Sequence, residues 1–118
     1  MDRREAYYVD ILQAIGDIED FLAQGRVTTL PEYSRHAMVR SAVERKLGII
    51  GEAVNHIRRI DSEHPIREAD RIVAFRNRLI HSYDAIDDHF VWSILRDHLP
   101  VLKRIVQEAL GPGQGEYL

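Results

Sequence analysis

Apolar residues recur three and four positions apart along most of the chain. From Glu5 to Gln24 they fall at Tyr8, Ile11, Leu12, Ile15, Ile18 and Leu22, with Asp10, Gln13, Asp17, Glu19 and Asp20 mostly between them. That spacing predicts an amphipathic helix, stopped at Gly25. Gly16 within it costs about 1 kcal/mol against alanine, and a neighbouring helix is expected to come close there. Val27 to Tyr33 reads as a connector, broken by Thr28, Thr29 and Pro31. Thr29 and Glu32 have the form of a capping box, and Ser34 is a second candidate cap. A long helix is predicted from Ser34 to about Ile60. Its spine is Val39, Val43, Ile50, Ala53, Ile57 and Ile60, broadened by Ala42, Leu47, Ile49 and Val54. A stripe that wide must touch more than one neighbour. Gly48 and Gly51 either bare a strip for close helix approach or merely loosen this helix.

The polar stretch Asp61 to Pro65 ends the long helix. A third helix is predicted from Arg67 or Glu68, with Ile72, Phe75 and Leu79 facing the core beside Val73 and Ile80. It should end around residues 76–83. Asp84 to Asp88 reads as a loop leading to an acidic N-cap. The fourth helix carries Phe90, Val91, Ile94, Leu95, Leu99, Leu102, Ile105, Val106 and Ala109. Pro100 removes the bond to the Arg96 carbonyl and predicts a kink there. Gly111-Pro112-Gly113 ends the pattern. No strand alternation or repeat is visible. The fold class is therefore all-α, a four- to five-helix up-down bundle over residues 1–110, with a mobile tail at 111–118.

With 118 residues the chain makes one domain. Its net charge of −3 does not draw nucleic acid to the surface as a whole. An RNA contact would need a local basic patch. Arg58, Arg59, Arg67, Arg71 and Arg78 are candidates, although plain solvation explains most of them. The absence of cysteine excludes disulfides, thiolate catalysis and cysteine-based metal sites, and fits a cytoplasmic location. No apolar run approaches the roughly 18 residues of a membrane span, and the N-terminus does not read as a signal peptide.

Candidate chemistry concentrates in Arg76-Asn77-Arg78-Leu79-Ile80-His81-Ser82-Tyr83. On a helix Asn77 and His81 share a face, so the amide is placed to orient the imidazole. Arg76 and His81, five apart, diverge by about 140°. They converge on one phosphate only if the long arginine reaches round a helix that is ending. The bland alternative is a helix C-terminus whose basic groups meet the dipole. The six histidines show no metal-ligand spacing, and there is no phosphate-cradling glycine loop or serine elbow. Acid–base chemistry without a metal or cofactor remains. Imidazole is suited to it near neutral pH, and RNA brings its own 2′-hydroxyl nucleophile. One histidine is not enough for both base and acid. A symmetric homodimer would bring a second Arg76 and His81 to the same cleft. His56, His64, His89 and His98 lack partners by spacing and are read as non-catalytic. Tyr7 and Tyr8 are read as packing, and Trp92 as a core or interface aromatic.

Arg76-x4-His81-x-Tyr83 resembles the signature of HepT-type toxins in the HEPN superfamily. The likeness extends to Glu44-Arg45-Lys46-Leu47-Gly48-Ile49-Ile50-Gly51-Glu52-Ala53, to Phe75, and to Ile86-Asp87, Val91-Trp92 and Leu99-Pro100. It covers most of residues 5–110. The resemblance implies a homodimeric helical bundle that cleaves RNA without metal at a composite site. Arg76 would clamp phosphate, His81 move protons, and Asn77 shape the pocket. Glu52 matches an acidic position that steadies the motif arginine in related proteins, or is a plain structural Glu. The implied partner is an MntA-like nucleotidyltransferase antitoxin that blocks the RNase by transferring AMP to Tyr83. A non-catalytic helical partner of a nucleotidyltransferase is the alternative.

Overall fold

The computed structural model describes residues 1–81 and 86–112. They are helical throughout their regular structure. Helix α1 spans Arg3–Gln24, α2 Leu30–Arg35, α3 Ala37–Ile60, α4 Ala69–His81, α5 Asp88–Ser93 and α6 Leu99–Leu110, with a π-helical turn at Ile94–His98 between the last two. Tyr33, Ile11, Leu12, Ile15, Ile18, Val43, Val54, Ile57, Val91 and Val106 are the fully buried centre. Their apolar spacing in α1, α3 and α6 turns one stripe of each helix inward, which removes that surface from water.

α1 begins two residues earlier than predicted because the Asp2 carboxylate accepts from the Glu5 N–H at 2.8 Å. It ends at Gly25, but Gly25 is right-handed, and Arg26 takes the positive φ of 56°. The expected connector 27–33 is corrected by α2. Thr29 caps α2, with its hydroxyl accepting from the Glu32 N–H at 3.3 Å, and Pro31 lies in the first turn, where its missing N–H costs nothing. The Glu32 carboxylate in turn accepts from the Thr28 N–H and hydroxyl, both at 2.9 Å, which holds it below the ordinary carboxylate range. Ser34 does not cap α3. His36 does, its Nδ1 accepting from the Val39 N–H at 3.2 Å. Ile60, predicted as part of the α3 spine, is exposed.

α1 and α3 run antiparallel, joined along their length by Lys46–Asp17 at 2.8 Å and Arg4–Asp61 at 3.1 Å. α6 closes on α1, where Lys103 meets Glu19 at 3.2 Å. α4 returns antiparallel along α3, with Arg58–Asp70 at 2.8 Å near its start. The kink expected at Pro100 is a π turn immediately before it. The Leu99 N–H donates to the Ile94 carbonyl, five residues back, and Pro100 opens α6. Widening one turn absorbs the donor that proline lacks. Asp87 is the acidic N-cap of α5, accepting from the His89 N–H at 2.9 Å.

Tyr33, Arg40, Glu44 and Asp88 meet where α2, α3 and α5 join. Burial, then the neighbouring Asp88, push the Glu44 carboxyl above its usual range, with Arg40 partly offsetting them. The folded state thus disfavours the Glu44 charge. Glu44→Gln should be more stable than the wild type near neutral pH. The gain should vanish as pH falls through the raised value to below the ordinary carboxylate range, where both side chains are neutral. Urea unfolding at a series of pH values measures this, and an equal difference at every pH contradicts it.

Candidate active site

Arg76 sits on the side of α4 that packs against α3. At the crossing point α3 carries Gly51, which is buried. A Cβ there would overlap the Cβ of Arg76 and lie 2.8 Å from its Cγ and 3.4 Å from the Ile72 carbonyl oxygen. The missing side chain of Gly51 is therefore the space in which the arginine stem lies. Of the two glycines expected to bare a strip, only Gly51 does so. Nothing described lies within 4 Å of a Cβ at Gly48 or at Gly16, so neither marks a close approach among the described residues.

The half-buried guanidinium above that stem is incompletely paired. Its Nη1 donates to the Asn77 side-chain oxygen at 3.1 Å, while its Nε is buried with no hydrogen-bond partner among the described residues. A buried donor without an acceptor costs about 1–3 kcal/mol, and an anion brought to this guanidinium would relieve part of that cost. The Asn77 oxygen, expected at His81, is used on Arg76 instead. His81 is exposed and is the last residue of α4. Because α4 stays helical to that point, Arg76 and His81 point about 140° apart on its surface. A single chain turns the arginine toward α3 and the imidazole outward. Tyr83 lies outside the described residues.

Glu52, one residue beyond Gly51, is exposed, and its carboxylate lies 3.8 Å from Nε2 of His56. His56 stacks on Tyr7 of α1, ring centroids 4.7 Å apart and planes within 9°. His56 was read as lacking a partner, yet Glu52 stands four residues before it, a spacing that brings two helical side chains together. The other three histidines of the non-catalytic set also have partners. His98 meets Glu68 at 3.3 Å, His89 meets Asp87 at 3.4 Å, and His64 Nδ1 accepts from the Ile66 N–H at 3.2 Å. Trp92 is half-buried, packs against Tyr33 at 5.6 Å and carries the Arg96 guanidinium over its ring at 5.9 Å. Of the basic candidates, Arg58 is held by Asn55 and Asp70, whereas Arg71 and Arg78 stand exposed on α4. Among the described residues no three His, Asp or Glu gather as a metal-binding set.

The family model for HepT-like ribonucleases matches residues 11–109, which includes α4 and its motif. The chain belongs to the HepT-like ribonuclease family. Its relatives agree over nearly the whole length. A Methanocaldococcus jannaschii protein provisionally named as an RNase is 33% identical over 110 residues, covering 91% of this chain and 98% of its own. A Thermococcus cleftensis protein provisionally named ribonuclease HepT is 35% identical over 101 residues, covering 82% of this chain and 86% of its own. No solved structure matches the chain. No helix of this HepT-like protein is long and apolar enough, over the described residues, to cross a membrane.

The two glycines of α3 give a paired test. Gly51→Ala must displace the Arg76 stem and should lower stability by about 1–3 kcal/mol, the usual range for overpacking. Gly48→Ala has open space and should raise stability by up to about 1 kcal/mol through helix propensity. Denaturant midpoints of the two variants should move in opposite directions.

Proposed function

We propose that this protein is a metal-independent endoribonuclease toxin, working as a homodimer and silenced by a nucleotidyltransferase antitoxin. The observation that carries the reading is the state of Arg76. Its stem is fixed on Gly51, one nitrogen is steadied by Asn77, and its buried Nε lacks an acceptor among the described residues. A cation held in place before its anion arrives is what stabilising a phosphorane requires. Membership of a HepT-like ribonuclease family supplies RNA as the phosphodiester. In this reading Arg76 binds the scissile phosphate and His81 transfers protons, as base to the 2′-hydroxyl and as acid to the departing 5′-oxygen. Asn77 supports the arginine, and Glu52, one residue beyond Gly51 but set toward His56, borders the α3 side of the cleft.

The divergence of Arg76 and His81 on α4 supports the dimer. Two protomers related by a two-fold axis and meeting along α4 would set the imidazole of each near the arginine of the other. That arrangement also supplies two imidazoles, one for each proton transfer. Tyr83 is the residue modified by the antitoxin. An adenylyl phosphate added there would neutralise Arg76 and block RNA.

Purified protein should cleave RNA in the presence of EDTA and elute with twice the mass of one chain. Arg76→Ala and His81→Ala should each lower cleavage by about 10²–10⁴-fold, the range for removing a charge-stabilising or proton-transfer group. If wild-type protein leaves RNA intact at every concentration, the ribonuclease reading fails and a non-catalytic partner of the nucleotidyltransferase takes its place. Incubation with that enzyme and ATP should add AMP, seen by intact mass. The modification should disappear in Tyr83→Phe, and a shift that persists there removes Tyr83 from the assignment.

A further inference from the structure

α4 has a second face that the motif does not use. Its backbone packs on α3 and on no other described helix. Between α4 and the α5–α6 arm a groove of about 760 Å³ therefore stays open, and Arg76, Asn77 and His81 are not among its walls. Its floor is apolar core, Leu47 and Ile50 of α3 with Leu99 and Leu102. Its walls are Ile72 and Phe75 on one side and Phe90, Ile94 and Val101 on the other. Phe90 and Val101 are each 45% exposed, a large apolar surface for groups that face a neighbouring core.

The groove is also positively charged on a chain of net charge −3. Arg71 and Arg78 stand on one row of α4 with Ala74 between them, and Arg67 precedes them at the same rim. The single acid among the lining residues, Glu68, is already engaged by Arg71 at 3.4 Å and His98 at 3.3 Å. Arg78 and Arg67 have no described acidic partner. An apolar trough bordered by a basic row is complementary to an amphipathic helix with carboxylates beside its apolar stripe. We propose that this groove docks such a segment, a helix of about three turns belonging to another protein.

Two observations favour another protein over the alternatives. No described helix of this chain offers the required surface. The acids of α1 stand opposite a stripe that is itself buried, Met38, Ile60 and Ile80 are scattered, and the remaining exposed pair, Phe90 and Val101, lies in the groove itself, where a second copy would set one basic row against another. RNA is disfavoured by the lining. Aliphatic side chains dominate it, and Phe75 and Phe90 are turned edge to face at 5.4 Å, not laid out as stacking platforms. The proposal does not rest on the ribonuclease reading, since Arg76, Asn77 and His81 are not among the groove's walls, although His81 continues the row of Ala74 and Arg78 beyond its rim.

The probes are two fluorescein-labelled 15-residue peptides with leucines at helical spacing, one flanked by Glu and one by Lys, titrated by anisotropy against the full chain. The Glu peptide should bind about tenfold more tightly than the Lys peptide at low salt. Arg71→Glu combined with Arg78→Glu should reverse that preference. Val101→Glu should weaken both peptides without unfolding the protein, as circular dichroism will show. No binding of the Glu peptide, or a preference unchanged by the charge reversal, overturns the proposal. Displacement of bound peptide by RNA would give the groove to nucleic acid, and peptide-induced dissociation of a dimer would give it to a second copy. Either result also overturns it.

Discussion

Between α3 and α4 the backbones approach at Gly51, and the stem of Arg76 occupies the volume that any larger residue would claim. Several features follow from that contact. It sets the rotation of α4 about its own axis, because a residue pinned to α3 leaves the rest of the helix surface at fixed angles from it. It buries the Nε of a charged group, and that Nε has no acceptor among the described residues. It also places Asn77, next along the helix, close enough to hold an outer nitrogen. The ion pair between Arg58 and Asp70 fastens the same two helices nearer the start of α4, and being largely exposed it adds little energy but agrees in register.

Once that rotation is set, α4 becomes a two-sided element. Arg76 and the buried Ala69 and Val73 face α3, and His81 lies away from them at the helix end. The side bearing Ile72, Phe75 and Arg78 looks toward α6 without closing on it. A helix in a single-domain bundle ordinarily buries its apolar stripe against two or more neighbours. Here the second neighbour is missing over the described residues. The chain thus keeps an unfilled apolar wall on one side of α4, with Arg76 and His81 turned apart on its remaining surface.

Much of this was written into the sequence. The apolar spacing located α1, α3, α4 and the continuous run from α5 through α6 to within a few residues, because burying one stripe per helix dominates the energy of so small a domain. The density of Arg, Asn, His and Tyr between 76 and 83 marked the motif, and Thr29 with Glu32 marked a cap. Short-range competition hid other features. Leu30 to Arg35 holds too few residues to show a period, so α2 was invisible behind Pro31. Pro100 announced a disturbance but not its form, since a kink and a π turn both answer a missing donor. The pairing of Glu52 with His56 was legible at four-residue spacing and was overlooked.

What composition and periodicity determined by themselves was the set of long helices, the class of fold and the place of the candidate motif at the end of α4, all consequences of local spacing. Tertiary structure alone decided between Gly48 and Gly51, glycines three apart on the same helix and indistinguishable in a linear reading. Only one of them meets α4. It likewise decided that the Asn77 oxygen turns to Arg76 and that one face of α4 stays uncovered. These outcomes depend on the angle and distance at which two helices cross. Those are set by how all the side chains between them pack together, not by the residues of either helix taken alone.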